Sequence, residues 1–185
     1  MDIDTIIKRY FAPNTESSNI YHQHTQAVAS AVVKICEHNS HLNISREFAV
    51  NAALLHDIGV CMVHAPKIHC YGFAPYIQHG IMGRIILEDE RLSEYALVCE
   101  RHIGTGFFKD EIIDNKLPLP IKDMFPISLE EKVVAFADKF FSKSQSDLAK
   151  PDEINVIREE IAAFGKRNIN TFNEWCELFG YEYLY

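Results

Sequence analysis

Positive charge is what this chain is short of: 18 Lys and Arg stand against 26 Asp and Glu, a formal net charge of −8 at pH 7. With no dense basic stripe to neutralise a run of phosphates, polymeric nucleic acid and anionic membranes are poor partners. A local basic pocket for one small phosphorylated molecule is compatible with that balance. Long apolar runs are missing too. None reaches the ~18 residues that point to a membrane-spanning helix. The start, Met1-Asp2-Ile3-Asp4-Thr5, has neither the basic nor the apolar region of a secretory signal. Period-2 alternation is lacking, so no strand is expected. The five cysteines, at 36, 61, 70, 99 and 176, are odd in number, and several fall on helical stripes. They read as reduced core thiols of a cytoplasmic protein rather than a disulfide framework. No internal repeat or low-complexity segment interrupts the chain.

What is present is a helical period and ample apolar volume. A chain of 185 residues is most simply one domain over 1–185, and it can bury about 70% of its unfolded surface. Twelve Phe and eight Tyr supply a core without staples. The 3.6-residue period predicts an all-α bundle with helices at about 2–11, 19–38, 45–57, 75–89, 92–103, 128–143, 152–164 and 170–179. Two long connections, 58–74 and 104–127, lack that period. Long loops in a compact helical domain are often functional, and these are expected to wall a substrate pocket.

Leu54-Leu55-His56-Asp57-Ile58-Gly59 places an imidazole and a carboxylate side by side at the end of an apolar run. Such a pair suggests two metal ligands projecting into a buried cleft, with glycine letting the backbone turn away behind them. Helical phase supplies companions. Phe48, Ala52, Leu55 and His56 fall on one stripe, with Ser45 as N-cap. His24 sits one turn before the stripe of Val28, Ala31, Val32 and Ile35, while His22, about 200° round the wheel, points elsewhere. Leu92, Tyr95, Ala96 and Cys99 run on into His102. Val134, Ala137 and Phe141 flank Asp138 on a helix that opens with a capping box, Ser128 to Glu131. A carboxylate buried without a partner costs several kcal/mol, so Asp138 on a core face implies a cation or strong hydrogen-bond donors.

His24, the His56-Asp57 pair and Asp138 resemble, in order, the H…HD…D signature of the HD-domain metal-dependent phosphohydrolases. His56-Asp57-Ile58-Gly59 is similar to its HDIG variant. His79-Gly80 and Arg101-His102-Ile103-Gly104-Thr105-Gly106 resemble the extra histidines that give some HD proteins a two-metal site. Ala135-Phe136-Ala137-Asp138-Lys139 resembles the segment holding the last aspartate. The likeness covers roughly residues 20–143 and leaves a C-terminal helical extension, about 150–185, unmatched. It implies an HD-domain helical bundle with His24, His56, Asp57 and Asp138 around one divalent ion. Asp57 would reach with its second oxygen to another ion held by His79 and His102, and His56 and Asp57 would form the catalytic pair. Imidazole and carboxylate without thiolate favour Fe or Mn, with Zn, Ni, Co or Mg as further candidates. Two such ions ~3.5–4 Å apart would polarise a phosphoryl oxygen and activate a bridging water. The implied reaction is hydrolysis of a phosphate ester or phosphoanhydride, most often in a nucleotide.

Arg101 and Lys139 adjoin proposed ligands, Arg84 lies one turn beyond Gly80, and His64 and His69 stand in the loop after the HD pair. All five are candidate substrate contacts; each can equally be a solvated surface group. Cys61, His64, His69 and Cys70 lack the paired knuckles of a structural zinc site. His22, His38 and His41 read as surface histidines. Val60 stands where cyclic-dinucleotide phosphodiesterases of the family carry a lysine, and no Gly-Tyr-Pro occurs, which argues against that substrate. The histidine pattern is closer to bacterial HD hydrolases that cleave diadenosine tetraphosphate symmetrically. A symmetrical dinucleoside-polyphosphate hydrolase is therefore the alternative within the class. The alternative of another class is a metal-stabilised ligand-binding or regulatory domain without turnover. A homodimer is compatible with both.

Overall fold

The computed structural model describes residues 2–143 and 147–185. Side chains that accept from exposed helix N–H groups start several of its helices. Asp2 accepts from Thr5 N ahead of α1 (Ile3–Tyr10), and Thr15 accepts from Ser18 N ahead of α2 (Glu16–His38). Ser45 occupies the N-cap of α3 (Arg46–Leu55), but its hydroxyl makes no capping bond. Its backbone N–H donates to Glu130 Oε1 at 2.9 Å instead. Next come α4 (His79–Asp89), α5 (Ser93–Arg101), α6 (Lys109–Asp114) and α7 (Leu129–Asp138). Ser128 caps α7 by accepting from Glu131 N at 3.1 Å. The Glu131 carboxylate reaches Ile127 N at 2.8 Å, one residue before the position a capping box requires. The chain closes with α8 (Ile154–Ala162) and α9 (Lys166–Phe179).

Of the predicted stripes, all but the partly buried Phe48 lie inside, and neighbouring residues complete the packed faces. Val28, Val32 and Ile35 of α2, Ala49, Ala53 and Leu55 of α3, and Val133, Val134 and Phe136 of α7 are fully buried in one continuous core. Burying a large apolar side chain contributes about 1.5–3 kcal/mol, so these faces fix how the three helices meet. The α4–α5 pair closes against them, and α9 backs α7 through Phe136, whose ring centroid lies 5.6 Å from Phe172 and 5.5 Å from Phe179. The stretch beyond residue 150 is therefore built into the core that carries α7.

The all-α expectation needs correction. Within 58–74, where no strand was expected, β1 (Val63–Ala65) pairs antiparallel with β2 (Cys70–Tyr71) and parallel with β3 (Ala74–Pro75), in the order β2-β1-β3. Strands of two or three residues are too short to show a period-2 pattern, and only their pairing makes them strands. Helix α6 lies inside 104–127, where no helix was expected, and Glu111 accepts from Phe108 N to cap it. Several ends also move: α4 begins at His79 after a 3₁₀ turn over Tyr76–Gln78, α7 stops at Asp138 rather than running to 143, and α2 and α9 start at Glu16 and Lys166, three and four residues earlier than expected. Among the described residues, no helix is long and apolar enough to cross a membrane.

Candidate metal centre

His24 lies within α2, but the other three site histidines stand at helix ends, and that location sets their chemistry. His56 follows α3, His79 opens α4 and His102 follows α5. Each turns Nδ1 onto the carbonyl three residues earlier: His56 to Ala53 O at 2.7 Å, His79 to Tyr76 O at 2.7 Å and His102 to Cys99 O at 2.8 Å. A carbonyl only accepts, so each Nδ1 carries the proton. In the neutral ring Nε2 is then left as a lone pair, the form in which imidazole ligates metals.

Those lone pairs converge with the carboxylates. His24 Nε2 lies 3.2 Å from Asp57 Oδ2, 3.1 Å from Asp138 Oδ1 and 3.4 Å from His56 Nε2. His56 Nε2 lies 3.5 Å from Asp57 Oδ2 and 3.3 Å from Asp138 Oδ1. Donors held ~2.1 Å from one ion at angles of about 90–109° are about 3.0–3.4 Å apart; His24, His56 and Asp138 form one buried group that could hold an ion at that spacing, and His56, Asp57 and His102 form another. On the far side, Oδ1 of Asp57 is 3.4 Å from both His79 Nε2 and His102 Nε2, which are 3.1 Å from each other. Two proton-free imidazole nitrogens at that separation repel unless something positive lies between them. All six residues are buried. Asp57 Oδ1 has no hydrogen-bond donor, as expected of an oxygen arranged for a cation, while Oδ2 has the Lys143 ammonium 2.6 Å away.

The electrostatics agree. Burial opposes the charge on Asp57, yet Lys143 and His56 beside it hold its pKa well below the ordinary carboxylate value. Burial likewise opposes the charge on Asp138, and Lys139 and Lys143 outweigh it. Burial pushes His79 down to about 3 and lowers His102 too. For His56 burial acts in the same direction, but Asp57 and Asp138 prevail and raise its pKa.

Gly59 has a different purpose from the one the sequence suggests. Its φ is not in the left-handed region. A Cβ there would sit 2.0 Å from His79 O and 2.2 Å from Gly83 N. Gly80 approaches the next helix similarly, since its Cβ would lie 2.5 Å from Cys99 O. These glycines let the HD turn, α4 and α5 touch through their backbones, which brings His79 and His102 to Asp57.

Of the five candidate substrate contacts, two line a cleft of about 590 Å³ that opens beside Asp138: His64 and Lys139. The other three lie elsewhere. Arg84 is engaged by Glu88 and Glu100, each at 2.8 Å. Arg101 holds both oxygens of Glu131, at 2.9 and 3.0 Å, and so ties α5 to α7. His69 is exposed at a turn with φ 55°. The loop 58–74 does wall the cleft, through residues 64–68, but the opposite wall is residues 138–143 and α8, not 104–127. Cys61, His64, His69 and Cys70 form no metal-competent group among the described residues.

Sequence reasoning missed Lys143, whose Nζ lies 2.6 Å from Asp57 Oδ2. On an uninterrupted helix it would stand about 140° away from Asp138. Because α7 ends at Asp138, the chain folds back and returns the lysine to the site. Tyr76 and Lys67 in the cleft wall had no sequence signal beyond residue type.

Comparison with known proteins places this geometry. A family model described as HD domain matches residues 21–142. An uncharacterized protein of Methanocaldococcus jannaschii is 42% identical over 101 residues, 54% of this chain and 52% of that protein. A tRNA (cytidine(56)-2'-O)-methyltransferase of Picrophilus torridus is 36% identical over 98 residues, 52% of this chain but 25% of that protein. The protein of the same name in Thermoplasma volcanium is 31% identical over 121 residues, 64% of this chain and 31% of its own length. The chain thus spans between a quarter and about half of these curated relatives. No solved structure gives a significant match.

Proposed function

Because this chain belongs to the HD domain family, we propose that it is a metal-dependent phosphohydrolase acting on a phosphate ester or anhydride of a small metabolite, most simply a nucleotide. In this reading His24, His56, Asp57 and Asp138 hold one divalent ion, and His79 and His102 hold a second with Asp57 between them. The observation that carries it is the pair of opposed donor sets meeting at the two oxygens of Asp57, at 3.2–3.5 Å on one side and 3.4 Å on the other. Bound there, divalent ions polarise a phosphoryl oxygen and acidify a water.

The protein's own groups do the rest. Backbone carbonyls accept from Nδ1 of His56, His79 and His102, which keeps the proton of each neutral ring off the nitrogen that faces the site. Lys139 holds the outer oxygen of Asp138 at 2.8 Å and keeps the inner one turned to the site. Lys67 and Lys139 bring local positive charge to a cleft that Asp152 and Glu160 also line, consistent with one small phosphorylated substrate and not with a polymer. Ile68, Phe141, Ile157 and Ile161 supply apolar surface for the remainder of that substrate.

The test is elemental analysis after anaerobic reconstitution with Mn or Fe, combined with a panel of phosphorylated metabolites that includes dinucleoside polyphosphates. Two ions per chain and phosphate release are expected. His79→Ala and His102→Ala should each lower the stoichiometry towards one while the first site stays filled. If both variants keep two ions, the second-site assignment is wrong. A second reading, a metal-stabilised ligand-binding domain without turnover, draws on the methyltransferase-named relatives, in which the matching stretch is 25% and 31% of a longer chain. Metal binding without turnover on any member of the panel would favour it.

A further inference from the structure

Lys143 is the charged group that the hydrolase reading leaves without a purpose. Its ammonium lies 2.6 Å from Asp57 Oδ2, the oxygen that faces His24 and His56 at 3.2 and 3.5 Å. Lys139 makes the contrasting contact. It binds Oδ2 of Asp138, whereas the two imidazoles face that residue through Oδ1. Lys139 therefore grips an outer oxygen and can remain when an ion sits on the inner one. Lys143 grips the inner oxygen itself. In a buried setting an ammonium and a divalent cation on one carboxylate oxygen repel strongly, so each excludes the other.

The site needs such a charge before any ion arrives. Asp57 and Asp138 are 0% and 7% exposed. The hydrogen bonds of His56, His79 and His102 place a proton on Nδ1 and turn Nε2 towards the carboxylates. Lys139 compensates Asp138, but without Lys143 the fully buried Asp57 would have no ammonium beside it, which is strongly destabilising. The displaced ammonium also has a defined destination. Residues 138–143 form one wall of the cleft, Phe140 and Phe141 anchor that segment in the core, and Lys143 is half-buried on the cleft side. A flexible four-carbon stem leaving an anchored backbone swings its charge into the cleft, where a substrate phosphate would meet it.

We infer that Lys143 is a built-in counter-cation that exchanges anions: it neutralises Asp57 while the primary site holds no ion, and ion entry releases it to bind the substrate's phosphate. The second half rests on the hydrolase reading; the first does not.

The experiment compares wild type, Lys143→Met and Lys143→Arg in three measurements. These are calorimetric titration of metal-free protein with Mn(II) alone, melting of the metal-free protein, and binding of inorganic phosphate to the Mn-loaded protein. Lys143→Met should bind Mn(II) about tenfold tighter or more, melt at a lower temperature without metal, and hold phosphate about tenfold more weakly. Lys143→Arg, which keeps the charge, should bind Mn(II) no more tightly than wild type, so it carries the test if the methionine variant does not fold metal-free. Unchanged or weaker Mn(II) affinity in Lys143→Met, or tighter binding by Lys143→Arg, overturns the exchange. Unchanged phosphate affinity overturns the substrate half. Wild type that binds Mn(II) but releases no phosphate from any substrate sinks the hydrolase reading and leaves the Mn(II) comparison to judge Lys143.

Discussion

At the scale of single residues, Asp57 is where the two donor sets meet, and its loss should be felt on both sides. Asp57→Ala is expected to abolish activity and reduce bound metal to well below one ion per chain. Elemental analysis that finds wild-type content would remove the bridging role. His79 gives a pH signature in the metal-free protein. Burial pushes its pKa to about 3, against about 6.5 for a histidine in the unfolded chain. Between those values the unfolded state takes up a proton that the native ring refuses. Stability contributed by the neutral ring is therefore complete above about pH 6.5 and is lost progressively as pH falls towards 3. Asp57 and Asp138, held well below the usual carboxylate range, add a further loss as pH falls below ordinary carboxylate values. Urea denaturation across pH 4–7 should give a shallower dependence for metal-free His79→Phe than for wild type. Parallel curves would reject the assignment.

At the scale of elements, the site depends on how closely three backbones approach. Gly59→Ala would set a methyl group 2.0 Å from His79 O, and neither backbone has a side chain that can yield. A cost of about 1–3 kcal/mol follows from overpacking of this kind, equivalent to a melting point lower by roughly 2–12 °C for a chain of this size. Because the displaced element is α4, the ion proposed for His79 and His102 should weaken before the one proposed for His24 and Asp138. A calorimetric titration that shows both sites intact would mean that α4 can shift without carrying His79 away.

At the scale of the whole molecule, α9 supports the centre from behind α7. Phe172 is fully buried against Phe136 and Phe140, so Phe172→Ala should cost about 3–5 kcal/mol. Helix α7 carries Asp138, and Mn(II) affinity should fall in that variant although no ligand is altered. Unchanged affinity in the folded variant would show that α7 is positioned without α9. Removing metal should also destabilise the intact protein. An ion present at 100 times its Kd contributes about 2.7 kcal/mol, so a chelator should lower the melting point by roughly 5–11 °C. A melting point indifferent to chelator would mean that the native fold gains nothing from the ion.

The sequence alone determined which helical faces turn inward and which metal-competent side chains they carry. Helical period put His24, His56, His102 and Asp138 on apolar faces, and a buried face can close only against another, so their convergence was legible before any coordinates. The resemblance added His79. Tertiary structure decided what local pattern does not encode. Strands of two or three residues exist only through pairing across 63–75. Gly59 is required by a neighbouring helix and not by its own torsion angles. Arg84 and Arg101 look free in sequence, yet each is engaged by a carboxylate 16 or 30 positions away. Lys143 reaches the centre because α7 stops at Asp138. Periodicity reports which side of an element faces inward. Where an element ends, and which distant charge waits there, is settled only when the faces pack.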